Sequence, residues 1–135
     1  MEWTFLGRPI TEDMLEGQIG FVYVIENLLN NRKYIGKKLL RFSKTKQVKG
    51  KKKKIKVDSD WKEYFGSSEE LKKDVENLGE ENFKREILGF YRTKGLCSYY
   101  ELKNQLQFDV LLHPDKYYNS YVGGRIHRSH LKINQ

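Results

Sequence analysis

Three side chains define the chemistry open to this sequence: Tyr23, Tyr34 and Glu101. The tyrosines stand eleven positions apart, in Phe21-Val22-Tyr23 and Tyr34-Ile35-Gly36. A phenol exchanges hydrogen bonds with water or an anion's oxygens, and once ionised it acts as a base. A carboxylate holds a hard divalent cation or carries a proton. Glu101 sits one position from an apolar helical stripe, at the border where a helix meets both core and cleft. Each has an ordinary alternative. Paired tyrosines in an amphipathic hairpin are also core or surface aromatics, and Ser98-Tyr99-Tyr100-Glu101 has the form of a capping box.

The elements that must position these groups are short. Residues 20–26 and 33–37 are β-branched and aromatic, and Asn30-Asn31-Arg32 between them is turn material. The spacing predicts a hairpin that brings both phenols to the same side of adjacent strands. Gly36, directly after Tyr34, is expected to leave the strand end bare, so that a large ligand can approach the backbone.

The setting is basic. The 135 residues carry a net charge of +8, with 33% charged and 13% aromatic residues. Such a length supports one domain with a modest core. Lys44, Lys46, Lys49, Lys51, Lys52, Lys53, Lys54 and Lys56 crowd one segment, and Arg125, Arg128 and Lys132 form a second cluster. A basic excess with many tyrosines fits a polyanion-binding surface, nucleic acid first. A solvated loop or a receptor-read targeting run has the same composition. Hydrolysing a phosphodiester needs a water that can lose a proton, positive charge at the phosphate, and help for the departing oxygen. A cation held by one carboxylate and the phosphate supplies the last two together.

Cys97 is the single cysteine, so no intramolecular disulfide can form. No stretch resembles a signal peptide or reaches the length of a membrane span, and a cytoplasmic protein without membrane contact is expected.

Residues 1–19 read as a short edge strand or arm. The segment 44–57 reads as a flexible loop or a protruding basic hairpin turning at Gly50, because adjacent like charges without an apolar stripe exclude a helix. Trp61 and Tyr64 suggest a helical turn. Ser67-Ser68-Glu69-Glu70 predicts a capping box, with Ser67 as the cap and Glu70 reaching back. Its helix runs to about Asn77, turning Leu71, Val75 and Leu78 toward a core, and Gly79 ends it. Residues 82–90 predict a strand burying Phe83, Ile87 and Leu88. Residues 95–112 predict a helix with Tyr99, Leu102, Leu106 and Val110 as its buried stripe, stopped by Pro114. The β-β-α-β-α order describes a small α/β domain, a three-stranded, mostly antiparallel sheet flanked by helices. One domain spans 1–135, with its core at about 20–122, a basic insertion at 44–57 and a basic tail at 123–135. His127 and His130 read as tail residues touching phosphates rather than a shared metal site.

The two tripeptides are followed in order by Trp61, Ser67-Ser68, Leu71, Gly79 to Phe83, Ile87-Leu88, Glu101 and Tyr118-Asn119. This succession resembles the GIY-YIG nucleases, notably the catalytic domains of phage homing endonucleases. The second tripeptide is intact; in the first, the glycine has moved to Gly20 or been lost. The resemblance implies an endonuclease that hydrolyses DNA with one magnesium or manganese ion, leaving 5′-phosphate and 3′-hydroxyl ends. It implies that Tyr23 helps deprotonate the attacking water and that Tyr34 bonds water or phosphate. Glu101 would be the metal ligand and Asn119 the site or structural asparagine. An ordinary tyrosine titrates near ~10, so a base role requires a cation to lower it.

One departure concerns the family's arginine, because Lys44 stands at its usual distance from the second tripeptide. Arg41 is the expected substitute, Lys37 or Lys38 the alternative, and Arg85 a further candidate on the exposed face of its strand. Lys38, the lysine-rich segment, Arg125 and Arg128 would track the duplex backbone. No motif for sequence reading is evident, so targeting is expected to be nonspecific, structure-guided, or set by a homodimer or partner protein. The rival expectation is a catalytically inactive nucleic-acid-binding module on the same scaffold. An RNA-bound structural protein would explain the lysines but not the ordered tyrosines and glutamate.

Overall fold

A computed structural model describes residues 2–123 and 127–131, so Arg125 and Lys132 of the predicted basic tail lie outside the described residues. The strands are β1 (Trp3–Phe5), β2 (Arg8–Pro9), β3 (Gly20–Asn27), β4 (Lys33–Leu39), β5 (Arg41–Val48), β6 (Lys51–Asp58) and β7 (Phe83–Tyr91). The α-helices are α1 (Glu12–Leu15), α2 (Glu69–Leu78) and α3 (Lys94–Gln107). The predicted hairpin is β3–β4, antiparallel, with Tyr23 opposite Gly36 and Ile25 opposite Tyr34.

The sheet has five strands rather than the expected three, in the order β2-β1-β7-β3-β4. The addition is the N-terminal arm: β1 pairs parallel with β7, far along the chain, and β2 folds back on β1. Trp3 anchors it, 4% exposed, edge-on to the rings of Phe21 and Tyr23 and donating from its indole to the Trp61 carbonyl. A three-residue parallel pairing leaves no local pattern in sequence.

β3 is an interior strand buried on both faces, which explains its nearly continuous apolar run. One face carries Phe21, Tyr23 and Ile25 beneath α2, whose Leu71 and Val75 join Phe83, Ile87 and Tyr118 in the larger core. The other presents Val22 and, from β4, Ile35 to Cys97 and Val110. Burial raises the Cys97 thiol to about 12 and leaves it inert.

Four core assignments change. Leu88 is 37% exposed because it is the extra residue of a bulge: Val22 pairs with Gly89 but Tyr23 with Ile87. Leu78 is exposed in the last turn of α2, beside the cap Gly79 at φ +95°. Tyr99 and Leu106 also face solvent, and α3 buries Cys97 and Gln105 instead. The capping is also redistributed. Ser68, not Ser67, caps α2 by accepting from the Leu71 N–H, and Glu70 forms an ion pair with Arg32. Thr93 caps α3, accepting from the Leu96 N–H, so Glu101 has no capping duty.

The lysine-rich segment takes the second predicted form, a hairpin of β5 and β6 forming a sheet of its own. Val48 pairs with Lys51 across the two-residue loop Lys49-Gly50, both at positive φ, the geometry that favours glycine in a tight hairpin turn. No helix among the described residues is long and apolar enough to cross a membrane.

Candidate active site

β4 is an edge strand, and its outward N–H and C=O groups need partners. At Ile35 and Lys37 three side chains supply them. The Asn119 carbonyl accepts from the Ile35 N–H at 3.0 Å, and its amide donates to the Ile35 carbonyl at 2.8 Å. Gln105 donates to the same carbonyl at 3.0 Å. Glu101, one turn earlier on α3, accepts from the Lys37 N–H. The face of α3 that meets β4 is therefore polar, which is why an apolar stripe misidentified it. Asn119 is a structural clamp with both ends of its amide engaged.

The clamp makes a prediction. Asn119→Ala leaves the buried Ile35 N–H unpaired while Gln105 still covers the carbonyl, a loss of about 1–3 kcal/mol. Thermal melting should show Tm lower by roughly 4–10 °C.

From the other face of β4, Tyr34 reaches the same edge. Its hydroxyl shares a 2.8 Å hydrogen bond with Ser67 Oγ, the serine that the cap leaves free. Tyr34, Ser67, Ser68, Glu101, Gln105 and Tyr121 line one cleft of about 430 Å³. Burial pushes the Tyr34 phenol up, with Ser67 pulling the other way. Burial likewise raises the Glu101 carboxyl, against the charge and N–H of Lys37.

Tyr23 lies behind this wall. Its ring is 6.3 Å from that of Tyr34 and 6.1 Å from that of Tyr64, and only 1% of the residue is exposed. Desolvation holds its phenol well above the ordinary tyrosine range, reinforced by Tyr64 and Tyr34. The backbone at Gly36 is not open to a ligand as expected, since Gly36 lies within β4 rather than at its end. A Cβ there would stand 2.6 Å from the Tyr23 hydroxyl and 2.9 Å from the Tyr34 ring. The missing side chain makes room for the two phenols.

The candidate cations separate. Lys37 donates to Ser98 on α3 and acts electrostatically on Glu101. Lys38 is held by Asp60 at 2.6 Å and lies over the Tyr64 ring at 3.9 Å. Arg41 lies apart from the Tyr34–Glu101 cleft, at the root of β5, 3.6 Å from Asp58 in a depression shared with Leu15 and Trp61. Arg85 is buried, not exposed. It donates to the Lys62 and Tyr64 carbonyls and stacks on Trp3 and Phe65, fixing the turn that delivers Tyr64. Arg128 is exposed in a 3-10 turn, where the His127 N–H donates to the His130 ring and the His127 ring bonds Ser129.

Sequence reasoning missed Ser67 as a partner of Tyr34, Tyr64 as a partner of Tyr23, and Gln105 on the edge strand. A second serine able to cap α2 was the one signal that could have released Ser67.

The paired tyrosines of the β3–β4 hairpin and the glutamate of α3 thus sit in one small α/β domain. The family model described as "Putative endonuclease segE, GIY-YIG domain" matches residues 3–122, and the chain belongs to the GIY-YIG family. The match includes β1, which lies outside the core predicted at about 20–122. Searches of curated proteins and of solved structures gave no match.

Proposed function

We propose that the protein is an endonuclease that hydrolyses DNA phosphodiester bonds in the cleft between Tyr34 and Glu101. The observation that carries this reading is the convergence of Tyr34 and Glu101 on one cleft from opposite faces of β4.

The donor set fits one hard cation. Among the described residues no three of His, Cys, Asp and Glu group to cage a metal, and Glu101 is a half-buried carboxylate on the cleft wall. Magnesium or manganese accepts such a site, since it keeps several waters and completes its shell with substrate phosphate. Glu101 would hold the ion, which supplies positive charge at the phosphate and helps the departing oxygen.

The chain's own groups do the rest. The Tyr34 hydroxyl, oriented by Ser67, donates to the attacking water or a phosphate oxygen. Lys37 adds a fixed positive charge beside Glu101, the place expected for Arg41. Tyr23 positions Tyr34 from behind; a base role for it would have to overcome its burial. Tyr34→Phe keeps the ring and removes the donor, so single-turnover plasmid cutting should slow about a hundredfold with DNA affinity unchanged. An unaltered rate removes Tyr34 from the mechanism.

The alternative is a binding module without cutting, favoured by one observation: no arginine among the expected candidates lines the cleft. Either reading gives the lysine ribbon the duplex. Replacing Lys52, Lys54 and Lys56 together by Gln should flatten the log–log salt dependence of binding by about 3.

A further inference from the structure

The β5–β6 ribbon offers more than charge. Among the described residues its strands pair only with each other, and every residue of the ribbon is exposed except the half-buried Ile55 and Val57. Eight lysines and Arg41 stand against a single acid, Asp58. Lys46 lies directly opposite Lys53, and Lys51 to Lys54 are consecutive, so the hairpin repels itself. An isolated two-stranded hairpin is already marginal in water. A polyanion offsets that repulsion.

The two faces differ. Register places Ser43 opposite Lys56, Thr45 opposite Lys54 and Gln47 opposite Lys52 on one face, a row of hydrogen-bonding side chains each paired with a lysine. The reverse face carries Phe42, Ile55 and Val57 near the root and lysines toward the tip. Lysines alone suffice to follow phosphates; a row of hydroxyl and amide groups adds donors and acceptors suited to base edges.

Dimensions select the groove. Eight residues per strand extend about 26 Å, and same-face residues repeat every ~6.7 Å, close to two base-pair rises of about 3.4 Å. The major groove of B-DNA, about 12 Å wide, admits a two-stranded ribbon, whereas the minor groove at about 6 Å does not. The major groove of duplex RNA is too narrow and deep. The root is fixed to the site strand, because Ser59 donates to the carbonyl of Leu39, the last residue of β4, and to that of Leu40 beside it.

We propose that β5–β6 is a sequence-reading ribbon that enters the DNA major groove, with Ser43, Thr45 and Gln47 meeting base edges and the lysines straddling the phosphates. This rests on DNA being the substrate and adds the element that selects where it is cut. All three readers are exposed, so their replacement leaves the fold intact.

The test uses the full chain in chelator, binding random-sequence duplex DNA, with methyl green as a major-groove competitor and distamycin as a minor-groove one. Methyl green should weaken wild-type binding about tenfold and distamycin less than twofold. Repeated selection from the random pool should converge on a short sequence for wild type. The Ser43→Ala/Thr45→Ala/Gln47→Ala variant should bind the unselected pool within about threefold but fail to converge. Greater sensitivity to distamycin, or convergence of the variant on the wild-type sequence, overturns the proposal. Plasmid cutting measured in parallel separates the two readings. Cutting without a major-groove signature removes the ribbon's role alone, and a converged sequence that stays uncut when carried on the plasmid removes the nuclease reading alone.

Discussion

Glu101→Gln should lower the single-turnover cutting rate by about a thousandfold or more while raising the melting temperature at pH 7. The two effects come from one carboxylate. Burial raises its pKa in the folded chain, so its ionised form burdens the fold. The folded chain holds this proton to a higher pH than the unfolded chain, whose glutamate titrates near ~4.3. Its contribution to stability is therefore full below the unfolded value and lost as pH rises through the raised folded one. Above that window the variant should melt a few degrees higher, at roughly 3–5 °C per kcal/mol relieved, and the gap should close toward pH 4. The amide still accepts from the Lys37 N–H, so the edge-strand contact survives. Thermal melts across pH, beside cutting rates, check both halves. A lower Tm at pH 7 would mean that Lys37 outweighs burial at this carboxylate.

Gly36→Ala should be the most damaging single methyl. Its Cβ would meet the Tyr23 hydroxyl at 2.6 Å, and the Tyr34 ring closes the other side at 2.9 Å. Tyr23 is walled in by Trp3, Phe21 and Tyr64, so the strain passes to Tyr34 at the cleft. Overpacking of this kind costs about 1–3 kcal/mol, and a displacement near 1 Å at a reacting group costs about a hundredfold in rate. Tm should fall by roughly 4–10 °C and cutting by about a hundredfold. Adding Tyr23→Phe removes the closest atom and should recover part of both losses. An unchanged Tm would show that the space between the phenols is not needed.

The hairpin and its tyrosines were legible because pairing register and side-chain alternation are local and short in range. Glu101 stood out by its place beside an apolar stripe and by the order of motifs, but the helix carrying it is turned differently from that stripe. Tyr99, Leu102, Leu106 and Val110 have a convincing apolar spacing, but α3 docks against an edge strand whose outward backbone groups need Glu101 and Gln105 as partners. Polar demand of that sort is set by tertiary neighbours and leaves no period in sequence. Ser67 and Ser68 are adjacent and chemically alike, so only the three-dimensional turn decides which caps α2 and which meets Tyr34. Arg41 follows Tyr34 closely along the chain, but the bend at Leu40 carries it into the ribbon root. Leu88 was misplaced by a bulge whose cause lies on the neighbouring strand.

The most direct measurement is conversion of supercoiled plasmid to open circles by the wild-type chain, first in chelator and then with magnesium restored. Nicking that is absent in chelator, returns with the metal and yields 5′-phosphate ends is the predicted result. A chain that holds the plasmid tightly but leaves it intact with magnesium or manganese would contradict the account.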